Sequence, residues 1–200
     1  MLAQQTISHY LQHLAGKFST PGGGAAAGIS GAQAAALLAM VAEFSKDQAT
    51  LMAAIIATCE TSRNHYLDLA EQDIQGFNAV MAAYGLSATD AAAKQHKQQA
   101  LQAALQTAAA APMAMIRAAL ALLPIAQQLC DTGNKNLITD VGIAASLLLS
   151  CLQSSRLNLL VNLRSIKDPA FIRASQRLLA SSEEGLAAFG EMVSAVETRL

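Results

Sequence analysis

The sequence predicts an all-α protein: a single-domain bundle of about six helices, several of them long, around an alanine-rich core. Three observations carry this. β-Branched residues are scarce and no strand-like alternation persists along the chain. Hydrophobic residues make up 53% of the sequence, much of that alanine, while aromatics reach only 4% and tryptophan is absent. A core so poor in large side chains is best filled by helices lying close together. Two hundred residues without a low-complexity linker then fit one domain, residues 1–200, long enough to bury a sizeable core.

The first helix is predicted from about Leu2 to Gly16. Ile7, Tyr10, Leu11 and Leu14 form its apolar face, and Gly16 is a plausible stop. The second starts in the most unusual stretch of the chain, Pro21-Gly22-Gly23-Gly24-Ala25-Ala26-Ala27-Gly28-Ile29-Ser30-Gly31. Glycine inside a helix costs about 1 kcal/mol relative to alanine, so a glycine run in a first turn signals a need for bare backbone. Ser19 or Thr20 can cap this helix, with Pro21 at its first position, where the missing N–H is no loss. The free N–H groups of Gly22, Gly23 and Gly24 would then form an anion site at the positive end of the helix dipole. Alternatively Gly24, Gly28, Gly31 and Ala35 form a stripe of small residues for close helix packing. Residue physics leaves these two readings even. The helix runs to near Lys46, with Leu37, Val41 and Phe44 as its larger buried residues.

A third helix spans about Thr50 to Tyr84, where Tyr66, Ala70, Ile74, Phe77, Met81 and Tyr84 repeat at helical spacing. Gly85-Leu86-Ser87 breaks it. Ser87 or Thr89 caps a fourth helix from about Asp90 to Cys130, which Pro112 and Pro124 should kink or divide. Asp131 to Asn136 is the clearest loop of the second half. A fifth helix runs from near Leu137 to Ile166, and Asp168-Pro169 opens the last.

The formal net charge is -1, and no basic stripe of the kind that binds nucleic acid is present. Cys59, Cys130 and Cys151 are odd in number and widely spaced, which points to a reducing, cytoplasmic setting rather than a disulfide framework. Residues Gly22 to Ala42 carry no charge over 21 positions, yet 14 of them are Ala or Gly. Ile29, Leu37, Leu38 and Val41 would together contribute only about -2 kcal/mol to insertion, so the stretch reads as a buried helix of a soluble protein rather than a membrane span.

Two carboxylates stand out. Asp73 borders the apolar stripe beside Ile74, four residues before Phe77, where partial desolvation would raise its pKa and suit acid–base work. An ordinary surface Asp flanked by Gln72 and Gln75 is the alternative, and spacing alone favours it. Asp140 sits in the first turn of the fifth helix, a position that dipole stabilisation also explains. Asn158 and Asn162 lie one turn apart in a leucine run, on the face that carries Asp140 about 27 Å away. Buried amides there need partners, from a polar ligand or from a second copy across a dimer interface. His9 and His13 have a metal-ligating spacing, but nothing nearby completes a site, and no metal is expected.

Several of these segments, in order, resemble the formimidoyltetrahydrofolate cyclodeaminase and methenyltetrahydrofolate cyclohydrolase family. The opening Pro21-Gly22-Gly23-Gly24 and alanine helix to Met40-Val41 is similar to that family's first motif. Asp73-Ile74-Gln75-Gly76-Phe77 with Tyr84 resembles its Asp-x-x-x-Phe segment. Gly133-Asn134-Lys135-Asn136 through Asp140-Val141-Gly142-Ile143-Ala144 resembles its Gly-Asn-x-Asn segment, and Asn158, Asn162, Leu163 and Asp168 match its ending. The resemblance implies an all-helical cytoplasmic homodimer that takes a reduced folate as substrate, with no other cofactor and no nucleic-acid or membrane partner. It implies closure of a one-carbon unit between N5 and N10 with loss of ammonia, or hydrolysis of the closed methenyl ring. A chain of this length, without a formiminotransferase domain, leans toward the hydrolase. Asp73 or Asp140 is then the catalytic acid–base, and Gly22, Gly23, Gly24 and Lys46 hold the glutamate tail. Asn134, Asn136, Asn158 and Asn162 contact the pterin or shape the site. The chain departs from the family pattern in Gly85-Leu86-Ser87, where a Pro-Lys pair is usual. It departs again after the glycine helix, where a basic cluster is reduced to Lys46 beside Asp47, and in the fourth helix, where Lys94, His96 and Lys97 stand near a usual Arg. A non-catalytic relative, or an enzyme of this fold acting on another ligand, is the alternative these changes raise.

Overall fold

The structure, a computed structural model, describes residues 2–200. Seven α-helices follow in order: α1 (Ile7–Ala15), α2 (Gly23–Glu43), α3 (Ala49–Gly85), α4 (Ala91–Thr132), α5 (Ile138–Leu163), α6 (Pro169–Ser181) and α7 (Glu183–Thr198). Two 3-10 turns, at Leu2–Gln4 and Lys135–Leu137, precede α1 and α5, and no strand occurs among the described residues. The all-α prediction holds.

Helix α2 is the centre of the bundle. It packs along α3 and α5 and touches α4, while α4 closes against α3 and α5, and α7 lies on α5. Its buried residues are glycine and alanine apart from Leu38 and Val41. Phe44, expected inside, is 61% exposed because the helix ends there and the chain turns outward.

The glycines of α2 are read off by α3, which runs antiparallel to it. Gly31 lies over the Tyr66 ring, where a Cβ would stand 2.5 Å from Cε1. At Gly28 a Cβ would meet the Ala70 Cβ at 2.9 Å and the Tyr66 carbonyl at 3.0 Å. At Gly24 it would fall inside the Asp73 carboxylate. Seven residues along α2 thus match seven residues along α3, two helical turns on each side. Tyr66 is fully buried, with its hydroxyl at the Cys151 thiol of α5. Sulfur is a weak acceptor, and neither the Tyr66 hydroxyl nor the neighbouring Ser155 Oγ has a nitrogen or oxygen partner. Lower down, Gly76 brings α3 onto α4, where a Cβ would stand 2.8 Å from the Ala108 Cα.

Several features differ from expectation, each for a local reason; the N-cap of α4, for one, is Asp90, accepting the Ala93 N–H at 2.8 Å, and not Ser87 or Thr89. The amino-terminal segment is divided: a 3-10 turn precedes α1, whose N-cap is Thr6, its side chain accepting from the His9 N–H at 3.2 Å. Helix α2 starts at Gly23 with Gly22 as N-cap, so neither Ser19 nor Thr20 caps it and Pro21 lies outside. Helix α4 runs unbroken through Pro112 and Pro124. Each proline leaves one carbonyl of the preceding turn without its amide, and the packing of both flanks onto α3 and α5 holds the helix together. The final segment is two helices, not one. Arg156 of α5 donates to the Leu179 carbonyl and to Ser182 Oγ and pairs with Glu183, which anchors the break between α6 and α7. The predicted start of α6 holds: Asp168 accepts from the Ala170 N–H at 2.8 Å, with Pro169 in the first turn.

Helices α2 and α4 and the segment Lys135–Leu163 are long and apolar enough to cross a membrane by length and composition. In the bundle 39–56% of those apolar windows is buried against other helices.

Gly31→Ala is expected to destabilise the protein by about 2 kcal/mol in urea denaturation, because overpacking against the immobile Tyr66 ring exceeds the gain in helix propensity.

Candidate active site

The start of α2 needs partners for its first amides, and Gly22 has no side chain to supply one. Asp73 supplies it from α3. Its carboxylate fills the space that a Gly24 side chain would take and accepts the Ala25 N–H. One carboxylate at this helix start is thus the protein's own, held at the Ala25 N–H. Burial raises the Asp73 pKa above the ordinary carboxylate value, and the Ala25 hydrogen bond opposes that rise. The expected desolvation at the edge of the stripe is present, and it comes from the backbone of α2 lying so close.

Asp73 opens into a cleft of about 280 Å³. Gly22 and Gly23 form one side of it, Phe77 and Val80 of α3 another, and Val161 and Asn162 of α5 a third, with Ser19, Thr20 and Ala108 completing the lining. Asp73 is the one ionisable side chain among these residues. Phe77 and Val161 are 40% and 57% exposed, so the cleft has apolar lips. Phe77 stands four residues after Asp73 on the same helix face, a signal present in the sequence but read there as core. Thr20, Val80 and Val161 carried no sequence signal for this cleft, since three separate elements bring them together.

Asn162 reaches the cleft with its Nδ2 donating to the Asn158 carbonyl at 3.0 Å, and Asn158 donates likewise to the Ser154 carbonyl at 2.9 Å. Each amide thus spends one of its two N–H donors within α5. On α4, Lys97 donates to the Tyr84 and Leu86 carbonyls at 2.7 and 2.8 Å and closes the end of α3, while Lys94 and His96 are exposed.

The other expected site residues lie elsewhere. Lys46, Asn134 and Asn136 line a second cleft of about 600 Å³ between the α2–α3 and α4–α5 connections. There the Asn134 Nδ2 donates to the Phe44 carbonyl at 2.9 Å, its N–H to Ser45 Oγ at 2.9 Å, and its Oδ1 accepts the Asn136 N–H at 3.0 Å. Asn134 is thus a clasp between two loops. Lys46 is exposed and shares its cleft with Asp47, Asp131 and Lys135. This cleft is at the far end of α2 from Asp73, about 31 Å away for 21 residues of helix. Asp140, half-buried, is 22 positions before Asn162 on α5, which places it about 33 Å along the helix from the Asp73 cleft. The structure therefore brings together Asp73, Gly22, Gly23, Gly24 and Asn162, with Asn158 one turn away, and keeps Asp140, Lys46, Asn134 and Asn136 apart from them.

The raised Asp73 pKa has a consequence for stability. Between the unfolded and the higher native pKa the folded chain binds more protons, so stability falls as pH rises through that interval. Asp73→Asn keeps an oxygen for the Ala25 N–H and removes the charge. The variant is expected to be more stable than the parent at neutral pH, with the advantage vanishing in acid, as measured by urea titrations across that range.

The sequence profile of the formiminotransferase-cyclodeaminase family matches residues 6–181. A methenyltetrahydrofolate cyclohydrolase of Methylorubrum extorquens is 36% identical over 184 residues, covering 89% of this chain and 88% of that protein. The formimidoyltransferase-cyclodeaminase of Sus scrofa is 26% identical over 206 residues, which take in 99% of this chain and 38% of the pig protein. The crystal structure of formiminotetrahydrofolate cyclodeaminase from Thermotoga maritima superposes with a TM-score of 0.87 at 31% identity, covering 98% of this chain and 97% of that one. With its helices in the same arrangement and its motifs in the same order, this chain belongs to the formiminotransferase-cyclodeaminase family.

Proposed function

We propose that the protein is a folate one-carbon enzyme that hydrolyses 5,10-methenyltetrahydrofolate to 10-formyltetrahydrofolate. The observation that carries this is Asp73: a carboxyl with raised pKa, fixed by the Ala25 N–H at the head of α2, in a cleft with no other ionisable lining residue. The likeness to the Methylorubrum cyclohydrolase, which extends over most of both chains, supports the substrate.

The substrate's methenyl carbon lies between N5 and N10 and shares a positive charge with them. A carboxylate beside it attracts that charge and accepts a proton from the water that adds to the carbon. Asp73 then returns this proton to N5 as the carbon–N5 bond breaks. The adduct's hydroxyl loses its own proton and becomes the formyl oxygen on N10. One water is consumed and one proton released. A carboxylate whose pKa burial has raised is a stronger base toward such nitrogen and oxygen centres than an ordinary surface Asp. The likeness to the Thermotoga cyclodeaminase supports a second reading on the same residue, in which Asp73 protonates the departing ammonia while N10 closes the ring.

In this reading Asp140, Lys46, Asn134 and Asn136 are not in the catalytic cleft of the same chain. The protein works in the cytoplasm, in keeping with three cysteines that form no disulfide, and needs no cofactor beyond the folate. It acts as a homodimer. Support for the dimer comes from the outer face of α5, where Leu157 and Leu160 are exposed together and Arg156, the helix's one basic residue before Arg164, is engaged with α6 and α7. An uncharged face of this kind meets its own copy without like-charge repulsion.

The decisive experiment follows the ultraviolet absorbance of 5,10-methenyltetrahydrofolate against its spontaneous decay. The parent protein is expected to accelerate the loss, Asp73→Asn to lower kcat by about 10²–10⁴-fold, and Asp140→Asn to stay near the parent. Binding without turnover supports a non-catalytic relative, and neither binding nor turnover overturns the reading. For the dimer, Leu157→Glu is expected to shift the sedimentation coefficient from dimer to monomer.

A further inference from the structure

Gly22 and Gly23 are glycines that the fold does not use. A Cβ at either position would meet nothing within 4 Å, in contrast to Gly24, Gly28 and Gly31, each of which lies against α3. Backbone conformation does not require them either: no glycine in the described residues has a positive φ, and Gly22 is extended at φ -132°. Better residues for the helix are available at both places. Serine caps an N-terminus more effectively than glycine at position 22, and alanine is the stronger helix former at position 23. What these two glycines have in common is the cleft, whose lining they share with the apolar Phe77 and Val161.

We propose that Gly22 and Gly23 are specificity-determining positions, kept bare so that the flat bicyclic end of the folate lies against the peptide between them and Phe77, with the glutamate tail directed out of the cleft. This rests on the folate reading above and deepens it. Charge points the same way. The one ionisable lining group is the Asp73 carboxyl, and no Lys or Arg lines the cleft, so an anionic tail placed here would meet a carboxylate. A cavity of about 280 Å³ suits the ring system and leaves the rest of the molecule outside. Half-exposed Phe77 supplies a π-face and Val161 an apolar edge.

The test uses Gly22→Ser and Gly23→Ala, with Gly190→Ala of α7 as a control, since that position is also open but lies away from the cleft. Thermal melting, KM and kcat for 5,10-methenyltetrahydrofolate, and binding of two fragments, 6-methyltetrahydropterin and p-aminobenzoylglutamate, are measured on each. Both cleft variants are expected to melt at or above the parent temperature and yet to raise KM by about tenfold or more. Binding of the tetrahydropterin fragment should fall in parallel. The tail fragment should bind parent and variants equally weakly, and the control, a glycine inside α7, should raise the melting temperature while leaving KM, kcat and fragment binding unchanged. An unchanged KM and unchanged tetrahydropterin binding in well-folded Gly23→Ala and Gly22→Ser proteins would overturn the proposal while leaving the activity standing. Loss of tail-fragment binding alone would overturn the orientation. A parent protein that neither turns over the folate nor binds either fragment would remove the folate reading and this inference together.

Discussion

The close approach of α2 to α3 is the contact on which the rest of this structure depends. A helix built of alanine and glycine offers backbone rather than side chains to its neighbours, and α3 takes advantage of that over two turns. At one end of the contact Tyr66 fits under Gly31 and reaches Cys151 on α5, which fixes three helices at a single point. At the other end Asp73 comes close enough to accept the Ala25 N–H. The two ends are coupled by geometry, since a Cβ at Gly28 would push against Ala70 and the Tyr66 carbonyl and lift α2 away from both. The dispersion gained by such close packing replaces what larger side chains would supply in an ordinary core.

That contact also decides the electrostatics of the cleft. A helix start is an anion site, and here a carboxylate from the adjacent helix occupies it. The result is an acid held between two opposing influences, burial that favours its neutral form and an amide that favours its charged form. Such balance raises the basicity of the carboxylate above that of a solvated one without neutralising it outright. The same arrangement means that glycines of one run serve different purposes. Gly24 makes room for Asp73, whereas Gly22 and Gly23 border open space.

The opposite end of the bundle is built on a different principle. Asn134 spends its amide on the Phe44 carbonyl and the Asn136 N–H, and Ser45 links the same loops, so the α2–α3 and α4–α5 connections are held as one unit. This clasp sets where α5 begins, and the length of α5 then carries Asn158 and Asn162 back to the Asp73 end. The asparagine motifs thus contribute to the cleft by two routes, Asn162 directly and Asn134 through the registration of the helix that bears it.

Much of this protein is written locally. Helical class, the presence of several long helices, the stops at Gly16 and Gly85 and the cap at Asp168 follow from propensity, periodicity and capping chemistry that act over a few residues. The motif order identified the family, and the border position of Asp73 on an apolar stripe marked it as a carboxyl worth following. The sequence left open which asparagines and which aspartate share a cleft, because helical spacing says which face a residue is on but not what lies across from it. Asp140 and Asn162 share a face of α5 and are separated by its whole length. Asp73 and Gly24 are 49 positions apart and touch. Whether the glycine run packs or binds could not be read from composition, since both uses ask for the same missing side chain. The tertiary structure separates the members of the run, placing α3 against Gly24, Gly28 and Gly31 and leaving Gly22 and Gly23 on the wall of a cleft, because the packing partners come from a distant part of the chain.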